Sequence, residues 1–409
     1  MRRTINKRIL AAATMTLAAG LATGLAGCAS GHGRYTTEHI ERANERMATI
    51  KAATSWDMAR QQFLAGDLSK ALNNVDESLD LNRAVPKSHT LRGRIMMELG
   101  QLEAAVVSYR EALELDPGFV EAHYYLGIAH ERFSEHDQAM ERYLAAANLD
   151  PSNAQFIIAA AEMHIELGQL DKAMELLESR RSNHQHNAGV RQTMGHIAMM
   201  RGDYERAVTL FGEARLLAPD ELALHEDLAL AQIASGRFTE AEYSLRRLMK
   251  HKDFKDRRDL KHAQARCLIH LDRPVEARSI LLALTSDSAG ASDIEAWIDL
   301  GEVAMHIGDM NRVRLVAARL TAIAPNRHEG PLMMAMWSRR AGDLNSALAS
   351  LNKAVSLAGA DPRPAMLRGV VLDELGRRNE AASSFIDALA IDPTHDQARR
   401  MLAAVQQDD

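Results

Sequence analysis

The sequence predicts an all-α chain, a solenoid of stacked helical hairpins, and three observations carry that prediction. The first is internal repetition: GDLSKAL, GQLEAAV, GQLDKAM, GDYERAV, GRFTEAE, GDLNSAL and GRRNEAA fall into register when the 409-residue sequence is slid against itself. The second is composition, with aromatics at 4% and a hydrophobic fraction carried mostly by Ala, Leu and Met, which suits packed helices better than sheets. The third is a small residue at one fixed place in every unit, as close helix contact requires.

Taking each of those glycines as the fifteenth residue of a unit, ten units begin at 52, 86, 120, 154, 188, 222, 258, 294, 328 and 362, in steps of 34 except for two of 36. Position 8 is then Ala59, Gly93, Gly127, Ala161, Gly195, Ala229, Ala265, Gly301, Ala335 and Gly369, and position 20 is Ala everywhere except Val313. Two antiparallel helices approach closely where such residues meet, and an aromatic at position 24 (Tyr109, Tyr143, Phe211, Phe385) fills the space beside them. Gly at position 15 suits a left-handed turn after the first helix, and Pro117, Pro151, Pro219, Pro325 and Pro393 at position 32 stop the second. Unit one is the most degenerate, with Ser55, Gln62 and Ser78 at packing positions.

This period and pattern resemble the tetratricopeptide repeat over about residues 52–395. The resemblance implies a right-handed α-solenoid of about ten helix-turn-helix repeats, closed by a C-terminal capping helix over 396–409 with Ala398, Met401, Leu402 and Val405 on one side. An N-terminal capping helix is expected over 37–51, running into or covering unit one. Units one to six fill 52–257 and units seven to ten fill 258–395. Two irregular joints, MKHKDFKDRR with Lys250, Lys252, Lys255, Arg257 and Arg258, and TSDSAGASD, are each two residues over length.

The first residues read as an address. Basic Arg2, Arg3, Lys7 and Arg8 precede an uncharged Ala, Leu and Gly stretch ending in Leu25-Ala26-Gly27-Cys28, the order of a secretory signal over residues 1–27. Leu-Ala-Gly-Cys resembles the bacterial lipobox, which implies cleavage before Cys28 and lipidation of that cysteine, followed by a short tether to residue 36. Ala29 and Ser30 point to the outer membrane, with the folded part in the periplasm. A formal charge of −6, more acidic still without the signal, argues against a general nucleic-acid binder.

Little in the chain carries chemistry. His130 and His136 are six residues apart, on different helix faces rather than the one face a zinc helix needs, and Ser350-Leu-Asn-Lys353 has the spacing of a serine acylase motif without a triad or oxyanion partner. His89, His123 and His225 share position 4, and His130 and His164 share position 11, which are packing slots, so no metal or other cofactor is expected. Cys267, alone once Cys28 is consumed, reads as a small buried apolar residue.

In tetratricopeptide arrays the first helices line a concave face with positions 2, 5, 9 and 12. Carried over, this implies a partner-binding groove of Tyr124, Ile128, Ile158, Ile165, Met199, Leu230, Ile233, Ile298, Met305, Leu332, Met336 and Met366, continued by Val370. Charges on it are acidic early (Glu121, Glu131, Glu162, Glu226), with Arg266, Arg339 and Arg363 later. The alternative is that these apolar residues only contact neighbouring repeats. A Met-rich surface edged by carboxylates suits an extended or amphipathic segment with basic residues. The expected function is therefore a non-catalytic, lipid-anchored scaffold for envelope proteins or peptides. Its plan looks like the pilotin and assembly lipoproteins of type IV or Flp/Tad-type pili; the alternative is an adaptor recruiting peptidoglycan hydrolases or synthases.

Overall fold

The computed structural model describes residues 34–407, and among them every regular element is helical, with no strand. The chain divides after Gln185 into two compact units. The first holds α1 (Arg34–Leu64), α2 (Leu68–Leu81), α3 (Pro86–Glu98), α4 (Leu102–Leu115), α5 (Val120–Arg132), α6 (His136–Leu149), α7 (Ala154–Glu166), α8 (Leu170–Ser179) and a 3-10 turn at Arg181–His184. The second opens with α9 (Ala188–Met200), α10 (Tyr204–Leu217), α11 (Leu222–Ala234), α12 (Phe238–Leu248), α13 (Arg258–His270) and α14 (Pro274–Ser286). After a 3-10 turn at Gly290–Ser292 it continues through α15 (Ile294–His306), α16 (Met310–Ile323), α17 (Glu329–Arg340), α18 (Leu344–Leu357), α19 (Arg363–Glu374), α20 (Arg378–Ile391) and α21 (Asp396–Gln407). Within each unit successive helices pack on one another, the nearest-neighbour pattern of a helix-turn-helix solenoid.

The turn inside each hairpin follows from two residues. Position 15 is left-handed at Gly66, Gly100, Gly168, Gly202, Gly236, Gly308, Gly342 and Gly376, and the same conformation is kept by Ser134 (φ 59°) and Asp272 (φ 54°), the two units without glycine there. Position 16 then caps the second helix where it is Asp: the side chains of Asp67, Asp203, Asp309 and Asp343 each accept the backbone N–H three residues on.

The core of each hairpin is a size match. A Cβ placed on Gly93, Gly127, Gly195 or Gly369 would fall 2.5–2.6 Å from the ring of Tyr109, Tyr143, Phe211 or Phe385 respectively. Where position 8 is Ala59, Ala161, Ala229, Ala265 or Ala335, position 24 shrinks to Val75, Leu177, Leu245, Leu281 or Leu351, all fully buried. Gly301 faces only Ala317 at that place, and Met333 with Val316 fills the gap. A smaller residue at position 8 is thus matched by a larger neighbour, and the interior stays filled.

Of the two arrangements expected at the N-terminus, running into unit one and covering it, the structure has the first. Residues 37–51 and the first helix of unit one form one unbroken helix, α1, which begins at Arg34, inside the expected tether; no Gly or Pro interrupts 34–64. Buried positions on it begin at Ala52, followed by Ser55 and Ala59, and from 37 to 51 only Ala48 is even half-buried among the described residues. In contrast α21 buries Ala398 and Val405 against the last hairpin. The two long joints touch each other: the Arg258 guanidinium donates to Asp287 at 2.8 Å, Asp293 at 3.2 Å and the Leu284 carbonyl at 2.6 Å. Residues 1–33, with the signal and Cys28, lie outside the described residues.

Candidate functional site

The first helices α15, α17 and α19 bring four of the expected groove residues together. Met305, Leu332, Met336 and Met366, joined by Met333 and Leu367, line a pocket of about 210 Å³ whose charged edge is Glu302, Glu329 and Arg363. Drug-sized ligands occupy pockets of roughly 300–1,000 Å³, so this one fits a single large side chain instead. Four methionines make its walls adjustable to the shape of that side chain. Met305 and Met336 also border a wider, polar cleft of about 710 Å³ edged by His306, Arg339, Arg340 and Glu374.

The charges around this pocket are mostly settled internally. Arg363 pairs with Asp361 at 2.7 Å and reaches Glu302 only at 3.6 Å. Burial, then the neighbouring Asp299, pushes the Glu302 carboxyl above the usual range. Arg327 holds Glu329 at 2.5 Å and Glu295 at 2.8 Å, and Arg339 holds Glu374 in a forked pair. Asp299 is buried, which opposes its charge, yet His262 (2.7 Å) and Arg266 (2.8 Å) keep its carboxyl below the ordinary value. The arginines expected to add positive charge to the later face are therefore neutralised. Glu226, expected as an open acid, is likewise taken by Arg257 through two hydrogen bonds of 2.7 and 2.9 Å.

The remaining groove residues lie in two places. In the first unit Tyr124, Ile128, Ile158 and Ile165 are half-buried on α5 and α7. Tyr124 packs against Phe156 (5.2 Å between centroids) and Tyr143 (5.8 Å), and its hydroxyl accepts from Gln155 at 2.5 Å. Beside them Glu131 accepts the Tyr143 hydroxyl at 2.6 Å, while Glu131, Glu162 and Glu166 have no ion pair among the described residues. Burial, then Glu131 and Glu166, raises the Glu162 carboxyl. In the second unit Met199 and Ile233 are half-buried and Leu230 is exposed. Ile298, by contrast, belongs to the core, at 7% exposure, and Val370 is half-buried against the last hairpins.

The histidines at positions 4 and 11 are structural. At position 4, Nε2 of His89, His123 and His225 meets the carbonyl of Arg83, Pro117 and Pro219, at 2.8, 3.0 and 2.8 Å, so each fastens its helix to the end of the preceding repeat. At position 11, His130 and His164 bond the position-16 side chains of Glu135 (2.6 Å) and Gln169 (3.0 Å). Among the described residues no three His, Cys, Asp or Glu converge as a metal site, and no helix is long and apolar enough to cross a membrane. Burial, then Glu242, pushes the Cys267 thiol up to about 11, so it stays protonated and unreactive. Of the basic joint, Arg257 and Arg258 are held in ion pairs, and Lys250, Lys252 and Lys255 are exposed.

The fold and these faces define a helical-repeat protein with a side-chain-sized apolar pocket on its first helices. The tetratricopeptide repeat family matches this chain twice, as TPR repeat over residues 93–132 and as tetratricopeptide repeat over 198–263. None of the curated proteins matches it. Among solved structures it is similar to yeast Tom70, at 16% identity over 88% of this chain and 89% of that one with a TM-score of 0.43. It is similar also to MamA from Desulfovibrio magneticus RS-1, at 19% identity over 42% of this chain and 97% of that one with a TM-score of 0.38. A further likeness is to YrrB, a TPR protein with an unusual peptide-binding site, at 16% identity over 46% and 94% with a TM-score of 0.37.

Proposed function

We propose that this chain is a non-catalytic scaffold that holds segments of envelope proteins along its first helices, fixed to the outer membrane by lipid on Cys28. The observation that carries the binding part is the methionine pocket between α15, α17 and α19, open, apolar and sized for one side chain. The anchoring part is supported by the lipobox-like Leu25-Ala26-Gly27-Cys28 after a basic and apolar leader. The partners we propose are subunits of a pilus or secretion assembly, in line with the resemblance of leader, tether and repeat array to pilotin-type lipoproteins.

Photocrosslinking in intact cells through residues placed at Met336 and Met199, followed by mass spectrometry, tests this reading. Capture of pilus, secretin or secretion subunits is the expected result. Capture of peptidoglycan hydrolases or synthases replaces it with the adaptor role, and capture of nothing from either position removes the groove as the binding surface.

A further inference from the structure

From residue 37 to residue 50, α1 is exposed at every position except Ala48, which is half-buried. At 1.5 Å per residue this is roughly 20 Å of helix that buries almost no side chain among the described residues, and a helical stretch of that length is marginal in water by itself. It nevertheless carries Ile40, Met47 and Ile50, which are 44%, 54% and 62% exposed, and Met58 at 46% further along.

These side chains share one face. Ile40, Ala43, Met47, Ile50, Thr54 and Met58 follow spacings of three and four residues, an arc of about 80° at 100° per residue. The buried Ala52, Ser55 and Ala59, which pack on the fold, lie roughly on the opposite side, so the array itself cannot cover the stripe. Over residues 37–51 the charges sort in the same way: Arg46 and Lys51 flank the stripe on its two edges and Glu38, Glu41 and Glu45 are on the far side, whereas past that stretch Asp57 stands at the stripe's edge beside Met58. An apolar stripe edged by cations with its acids turned away complements an anionic lipid surface. Arg34 follows Cys28 by six residues, a reach of at most roughly 20 Å.

We propose that the N-terminal part of α1 lies along an anionic phospholipid surface, with Ile40, Met47 and Ile50 at the acyl boundary and Arg46 and Lys51 among the headgroup phosphates. The argument from tether length rests on the anchoring reading above; the stripe and its charges do not.

The test is hydrogen exchange with mass spectrometry on the full-length mature protein, with vesicles of phosphatidylethanolamine and phosphatidylglycerol, beside the Ile40→Glu/Ile50→Glu variant. Both positions are solvent-exposed, so melting of the repeats should be unchanged. The expected result is exchange at least tenfold slower over residues 37–50 of the original chain on vesicles, and no slowing in the variant, while both float with the vesicles. Equal exchange in two floating chains overturns the docking and leaves the anchor standing. If neither chain floats, the anchor fails separately, and absence of slowing when vesicles are added overturns the docking as well. Slowing without vesicles that grows with protein concentration assigns the stripe to a second copy of the chain and also overturns it.

Discussion

The inner faces of the two units use one helical frame and settle their charge in opposite ways. On α5 and α7, Glu131, Glu162 and Glu166 share the helices that carry Tyr124, Ile128 and Ile158 and have no ion pair among the described residues. From α13 to α19 many acids are held by arginines, several of them about one repeat away, as in Arg266 with Asp299, Arg327 with Glu295 and Arg339 with Glu374. The first face leaves negative charge to be answered by solvent or by a basic partner, whereas the second offers an apolar pocket whose charged edge is already balanced. The repeat positions therefore fix the scaffold, while the other residues of each first helix set how its charge is balanced.

The strongest test is of the shared frame. Gly127→Leu in the first unit and Gly369→Leu in the second should each cost about 3 kcal/mol or more, because the added side chain meets Tyr143 or Phe385. Similar losses of Tm confirm one frame, and indifference in either unit breaks the comparison at its base.

Next is the internal network of the second face. Asp299→Ala should cost about 2–3 kcal/mol, below the usual range for breaking a buried pair, since Arg266 keeps 51% of its side chain in water. Asp299 contributes fully above its ordinary value of 3.8 and loses that contribution as pH falls through its lower folded value. Melting curves of the two proteins should thus stay apart at neutral pH and converge only below 3.8.

A smaller gain should come from either unit through the turns. Ser134→Gly and Asp272→Gly remove the strain of a left-handed side chain, partly offset by the freer unfolded glycine, for about 0.5–1 kcal/mol of added stability each by chemical denaturation.

The smallest effect separates the faces most directly. Glu162→Gln should leave stability unchanged or raise it by a few tenths of a kcal/mol at neutral pH, on the scale of exposed charge pairs. Its carboxyl is raised above 4.5, so the cost of its charge disappears as pH falls through that raised value, the reverse of Asp299. A loss of stability in the Gln variant would mean the first face holds a cation after all.

The hairpins were legible because their determinants are local and recur: the small residues at positions 8 and 20, the left-handed position 15 and the proline stops all stand where the period puts them. Counting the period could not divide α1, since a repeat boundary without Gly or Pro leaves the helix free to continue. The site was only partly legible. The family resemblance implies that position 5 faces the groove, but Ile298 is covered by its neighbours while Met366 lines the pocket, a difference set by side chains in adjacent repeats. Charges counted one helix at a time miss the pairing, although opposite charges separated by about one repeat, such as Arg266 and Asp299 or Arg327 and Glu295, are a readable signal of it. Glycine with an aromatic and alanine with an aliphatic residue were likewise both visible, and only the distances show that they are one choice.

That coupling constrains how such a chain can grow. Positions 8 and 24 are sixteen residues apart within one hairpin, so a gene crossover at a repeat boundary always moves both partners together. A crossover inside a hairpin can join glycine to leucine, leaving a void, or alanine to tyrosine, forcing a clash, and each product is penalised by packing alone. Whole hairpins are thus the units that can be duplicated or exchanged, and the inner-face residues travel with them as passengers.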